Sequence, residues 1–371
     1  MPKFDHAFRG IFRNKVAIII IGVTLFELSF SSILKDGQKM YLNGEVPKDV
    51  FLLLPAGAYP SKDLLKEDFI DGISVRVHWK DIEKSPGKYD WEYLDNIFEV
   101  AERENKKVSL RLLGGFWSPS WIYDKGVPYL NVKIQGKGFA AEPFIKKYEE
   151  NIKLPVVWNE KYLKLWSSFV KAVGERYGSR PNLVLVHLSG PTFFSAEVIL
   201  ARNPEELEKI KAHGFSEKVI LRAWEETIET FKIAFPNQTL ALNVHFIIKG
   251  TNLHVKLVRL AYKLLKTRLA IQGNWLSPEH VFLLNGSGEG KKSEMLRLFY
   301  EVQKKGVLIG FQEVWPFCVI LEKQRLPISK EEIRKRLFIL FQRLQVSYIE
   351  IYPKDIKDRF WRKLWESFDS L

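Results

Sequence analysis

Eight short apolar runs, rich in leucine and β-branched residues, recur along the chain at residues 50–54, 73–79, 108–113, 183–188, 239–245, 269–275, 307–313 and 347–351. Each is too short for a stable helix. Each is also nearly continuous in apolar character, as a strand covered on both faces must be. The intervening stretches carry helical spacing instead. In 91–105, Leu94, Ile97, Phe98 and Ala101 recur at three and four residues. Asn159 and Ser216 stand as N-caps before 160–177 and 217–235, and Ser329 with Glu332 forms a capping box before 333–344. Segments 251–266, 290–305 and 356–368 complete the helical set. Alternation of strands and helices predicts an α/β fold with a parallel sheet. Eight strands are the number that closes a (β/α)8 TIM barrel; a doubly wound open sheet is the rival.

A barrel of this type needs about 250 residues, more with insertions, and the chain has 371. No internal repeat or linker divides it after the N-terminal segment. Hydrophobic residues make up 46% of the chain, enough for a packed core. The single cysteine, Cys318, excludes an intramolecular disulfide and a Cys-based zinc site. The net charge of +13 is spread over many helices and accompanies no nucleic-acid-binding motif. It therefore reads as solvated lysine-rich helix faces, with no nucleic acid expected; the alternative is an acidic partner, whether anionic polysaccharide, nucleic acid or membrane surface.

Residues 1–34 differ from the rest. Lys3, Arg9, Arg13 and Lys15 precede an apolar run, 16–26, and Ser29-Phe30-Ser31 offers small residues for cleavage. Glu27 stops the run at a length short for a bilayer. The segment reads as a signal peptide or membrane anchor. Residues 35–371 are then the barrel domain, placed outside the cell or tethered to a membrane.

The run from Gly72 to Trp121 carries the most specific pattern. Val75-Arg76 ends a strand, and Trp79, Ile82-Glu83, Pro86-Gly87-Lys88-Tyr89-Asp90-Trp91 and Leu94-Asp95 follow in order. This stretch resembles the second and third βα units of clan A glycoside hydrolases, the superfamily of cellulases, mannanases and β-galactosidases. The resemblance implies a (β/α)8 barrel acting on a carbohydrate. It also implies an acid/base carboxyl after the fourth strand, usually as Asn-Glu, and a nucleophile ending the seventh.

Glycoside hydrolysis needs two carboxyl groups about one bond. Glu313 ends the seventh apolar run, with Gln312 before it and Trp315 two residues on, and is the expected nucleophile. The fourth run departs from the family: Ser189-Gly190-Pro191 stands where Asn-Glu-Pro would. Glu197, seven residues beyond the glycine and flanked by Phe193, Phe194 and Ala196, is the expected acid. Glu350 on the eighth run is the next carboxylate.

Polar groups gather near the ends of other runs: Arg76, His78, Arg111, His187, Asn243, His245, Gln272 and Asn274. Side chains of this kind at a barrel mouth suit sugar hydroxyls. Trp79, Trp117, Trp121, Trp275 and Trp315 follow or end strands, where an aromatic face can stack on a sugar ring. No first-strand His-x-His, phosphate loop or serine nucleophile elbow is present, so no metal or cofactor is expected. The expectation is a retaining glycoside hydrolase on oligo- or polysaccharide. A carbohydrate-binding barrel without turnover, favoured by the missing Asn-Glu, and a metal-dependent hydrolase are the alternatives.

Overall fold

The computed structural model describes residues 48–133, 151–201, 204–248, 250–276, 291–314, 316–319 and 329–368. The 1–34 segment lies outside these residues. Among the described residues no helix is long and apolar enough to cross a membrane.

Eight parallel strands close a barrel: β1 Asp49–Leu53, β2 Gly72–His78, β3 Lys107–Leu113, β4 Leu183–Leu188, β5 Thr239–Asn243, β6 Leu269–Leu276, β7 Leu308–Glu313 and β8 Val346–Ile351. Each strand pairs with its sequence neighbours, and β8 pairs with β1. Helices α1 Glu92–Arg103, α2 Glu160–Tyr177, α3 Glu217–Ala234, α4 Leu253–Leu265, α5 Lys291–Gln303 and α6 Lys330–Leu344 follow strands in turn. The three expected caps form: Asn159 accepts from the Lys161 amide, Ser216 from that of Val219 and Ser329 from that of Glu332. The predicted helix at 356–368 is instead two short helices, Pro353–Lys357 and Arg359–Glu366. Asp358 separates them by capping the second, its carboxylate accepting from the amides of Phe360 and Trp361.

The strand period of two divides side chains between two layers. Ile73, Val75, Ile309, Phe311, Ile349 and Ile351 face outward into the large core under the helices. Phe51, Leu185, Ala241, Ala270 and Tyr348 form a separate apolar cluster that fills the barrel. Phe51 and Tyr348 meet edge to face, centroids 6.1 Å apart. Tyr348 fits because Gly310 has no side chain: a Cβ there would stand 2.0 Å from the ring. The Gly310→Ala variant is expected to lose roughly 1–3 kcal/mol through overpacking. Much of that loss should return in a Gly310→Ala/Tyr348→Leu double variant, a coupling that urea unfolding of the full cycle would read.

Two of the strand-to-helix connections carry regular elements of their own. The segment after β3 holds a short helix, Trp121–Asp124, and an antiparallel hairpin of Tyr129–Lys133 with Asn151–Pro155. Leu130, Val132, Ile152 and Leu154 bury one face of that hairpin. The segment after β4 holds the helix Pro204–Ala212. The Pro86-Gly87 turn links a second small hairpin, Glu83–Ser85 with Lys88–Tyr89, and Gly87 takes a positive φ of 71° there.

Candidate active site

Above the apolar layer, β2 to β8 supply a belt of inward polar side chains. Strand register sets Arg76 beside Arg111, Arg111 beside His187, Asn243 beside Gln272, and Gln312 beside Glu350. Glu350 is the centre. One carboxylate oxygen, Oε1, accepts from Ser74 Oγ at 2.7 Å and, over longer distances, from Ser109 Oγ at 3.3 Å. His187 Nε2 lies 3.3 Å from the same oxygen. The other, Oε2, accepts from Arg111 at 2.8 Å and from Gln272 Nε2 at 2.8 Å. Arg111 also donates to Gln312 Oε1 at 2.6 Å.

Both Glu350 and Arg111 are buried, at 0% and 3% exposure. Burial pushes the Glu350 carboxyl up, but the Arg111 guanidinium, His187 and the Ser74 hydrogen bond together hold it well below the usual carboxylate range. It is an ionised carboxylate inside the barrel. His187 is held neutral, first by burial and then by the Arg111 charge. Its Nδ1 lies 3.1 Å from Asn243 Oδ1 and 3.2 Å from an Arg111 nitrogen. Asn243 Nδ2, Gln272 Oε1 and Arg111 Nε are buried polar atoms of this belt without a protein partner.

The belt connects upward to Glu197. Gln272 donates to Asn274 Oδ1 at 2.7 Å, and Asn274 Nδ2 donates to Glu197 at 3.3 Å. Glu197 is half-buried on the loop after β4. Two amides therefore bridge a half-exposed carboxyl and a buried ionised one.

Glu313 does not join them: contrary to its expected place at the mouth, it is buried away from this belt. Ile309, Phe311 and Glu313 share the outward face of β7, whereas Gly310 and Gln312 share the inward one. Glu313 is fully buried and accepts from the Tyr352 amide at 2.7 Å. Beside it, the Asp355 carboxylate takes the amides of Phe317 and Cys318. Burial, then the Asp355 charge, push the Glu313 carboxyl well above its ordinary range. Its other oxygen, Oε1, meets no hydrogen-bond partner. Because the folded-state pKa is raised, this group stabilises fully below the ordinary carboxylate pKa and progressively less as pH rises. Glu313→Gln keeps an acceptor for the Tyr352 amide and removes the group that would ionise in this buried place. The variant is expected to melt above the parent at pH 8 and with it at pH 4 in thermal scans.

The tryptophans divide. Trp79 is not a ligand platform: it has 0% exposure, packed among Trp121, Tyr162, Trp166 and Phe169. Its Nε1 donates to Glu83 at 2.6 Å, and Glu83 also receives the Gly87 amide at 2.8 Å. The Trp, Glu and Pro-Gly of the resembling motif thus form a structural clamp. Trp121 packs edge-on against Trp79 and donates to the Glu83 carbonyl. Trp275 packs on Phe311 and Phe299, which lie on the helix side of the sheet. Trp117 is half-buried at the mouth, stacked on His78 at 3.9 Å, and its Nε1 donates to the Phe194 carbonyl. Trp315 lies outside the described residues. Arg76 is half-buried and donates to the Leu54 carbonyl; His245 is half-buried just beyond β5.

Ser74, Ser109 and Asp355 were not foreseen as site-supporting residues. The two serines sit two positions before Arg76 and Arg111, so the strand period could have found them. Among the described residues no His, Cys, Asp and Glu side chains cluster as a metal site.

A family model described as Beta-galactosidase matches residues 63–192, from the first βα loop through the end of β4. Over these residues the chain is similar to a glycoside hydrolase family. Solved structures similar to this chain include a β-galactosidase from the psychrophilic Marinomonas ef1, at 13% identity and a TM-score of 0.48. That match covers 82% of this chain and 54% of the Marinomonas one, so the chain spans about half the length of that relative. Endo-glycoceramidase II from Rhodococcus sp. matches at 13% identity and a TM-score of 0.49, over 83% of this chain and 75% of that one. Xylanase 10B from Thermotoga petrophila matches at 12% identity and a TM-score of 0.47, over 84% and 86%. No curated protein matches the sequence.

Proposed function

We propose that this barrel hydrolyses a glycosidic bond in an oligo- or polysaccharide with retention of configuration, using Glu350 and Glu197. The observation that carries this reading is the belt of polar side chains that holds Glu350 ionised beneath a half-exposed Glu197. A nucleophile must be charged at working pH, and Glu350 meets that need where Glu313 does not.

In the first half-reaction Glu350 Oε1, which has one short hydrogen bond and longer ones, attacks the anomeric carbon. Glu197 gives its proton to the departing oxygen. In the second, Glu197 takes a proton from water, whose oxygen displaces Glu350 from the same carbon. Arg111 and Gln272 hold Oε2 throughout, and Arg76, Asn243 and Gln312 offer hydrogen bonds to hydroxyls. Export or anchoring through residues 1–34 would place this activity outside the cell.

A barrel that binds sugar without turnover is the second reading. It is favoured by Ser189-Gly190 in place of Asn-Glu and by the neutral Gln312 on the inward face of β7. Mass spectrometry of the full chain after incubation with activated 2-deoxy-2-fluoro glycosides separates the two. A covalent adduct on the peptide containing Glu350 supports hydrolysis with retention. Sugar binding with neither adduct nor turnover supports the second reading.

A further inference from the structure

The mouth carries a cation that the two-carboxylate reaction does not use. Lys80 is exposed on the short helix Trp79–Ile82 directly after β2. Its ammonium lies 5.0 Å from the ring centre of Trp117 and 5.9 Å from that of Phe116, both on the loop after β3. Its sequence neighbour Asp81 accepts from His78 Nδ1 at 2.8 Å and lies near enough to feel the Lys80 charge. No direct ion pair to Lys80 forms among the described residues, and aromatic faces hold its ammonium at the rim. His78 stacks flat on Trp117, 8° from parallel, and fixes that ring, while the Trp117 Nε1 bond to Phe194 ties it to the loop that carries Glu197. Farther along the rim, Lys153 lies 4.6 Å from the ring centre of Tyr129. The chain as a whole carries +13, a field that draws anions toward such a rim.

We propose that the rim formed by His78, Lys80, Phe116 and Trp117 is a subsite for a sugar bearing an anionic substituent, a carboxylate or a sulfate ester. This rests on the glycosidase reading of the same mouth. The aromatic and imidazole rings offer apolar surface to the sugar, and Lys80 meets its charge. The sugar bound there is a neighbour of the one that is cleaved, because the loops after β2 and β3 flank the Glu350 belt.

Calorimetry on the full-length protein tests this with three oligosaccharides of equal length: an oligogalacturonide, a sulfated galactan fragment and a neutral galactan fragment. At low salt at least one charged probe is expected to bind on the order of 10-fold tighter than the neutral one, with the preference shrinking as salt rises. Lys80→Gln should bring that ratio near one, and Lys80→Arg should retain it. Which charged probe wins identifies the substituent. Equal binding of charged and neutral probes, a preference that survives Lys80→Gln, or no binding of any probe would overturn the subsite. Parallel hydrolysis assays separate this from the parent reading. Charge-selective binding without cleavage keeps the subsite and removes the hydrolase, whereas cleavage of the neutral probe without charge preference does the reverse.

Discussion

Glu350→Gln is expected to lose turnover by on the order of 10⁴-fold or more, since the group removed forms the covalent bond. It should also lose about 3–5 kcal/mol of stability, because Arg111 is left as a buried charge without its counter-ion. Two readouts keep these effects apart. Assays well below the melting point report chemistry, and guanidinium unfolding reports stability. Glu350→Gln with Arg111→Met removes both buried charges and should recover much of the stability with none of the activity. The pH dependence has a definite sign. The folded pKa of Glu350 is lowered, so its contribution is present above the ordinary carboxylate pKa and is lost as pH falls below it. His187 is also lowered, so the unfolded chain takes up its proton first, and stability begins to decline as pH drops below about 6.5. Acid sensitivity should therefore start with the imidazole and steepen with the carboxylate. In Glu350→Gln the steep lower step should be reduced.

Glu197→Gln is expected to lower kcat by about 10²–10⁴-fold, the range for loss of a general acid. Its fold should be unaffected, because Glu197 is half-buried and a glutamine can still accept from Asn274. The loss should depend on the leaving group. A nitrophenolate needs little protonation, so aryl glycosides should suffer less than oligosaccharides in this variant. Equal loss on both substrates would mean that Glu197 acts by positioning rather than by proton transfer. Added azide should restore part of the turnover on an aryl substrate by attacking the glycosyl-enzyme that Glu197 no longer helps water to resolve.

The barrel was legible because its information is local. The eight apolar runs matched the eight strands, with the fourth spanning 183–188 in both, since a strand buried on both faces leaves an uninterrupted apolar signal. The caps at Asn159, Ser216 and Ser329 were equally local. The site was harder to read because its partners are distant in sequence: Ser74 and Glu350 meet across 276 residues. Position at a strand end identified Glu313, but which face it takes was written in the alternation Ile309, Gly310, Phe311, Gln312, Glu313. The apolar residues of that series mark the helix side, and Glu313 shares it. Trp79 was misread for a related reason. A tryptophan just past a strand end can turn over the mouth or under the first helical layer, and Glu83, four residues on, holds its indole beneath.

The most direct test of the proposed reaction is a proton NMR time course of a cleavable glycoside with the full-length enzyme, with Glu350→Gln, Glu313→Gln and Glu197→Gln beside it. The first sugar released by the parent should keep the anomeric configuration of the substrate. Release should vanish in Glu350→Gln, slow in Glu197→Gln and persist in Glu313→Gln. Inverted product, or cleavage by Glu350→Gln at the parent rate, would contradict the assignment of Glu350 as the nucleophile.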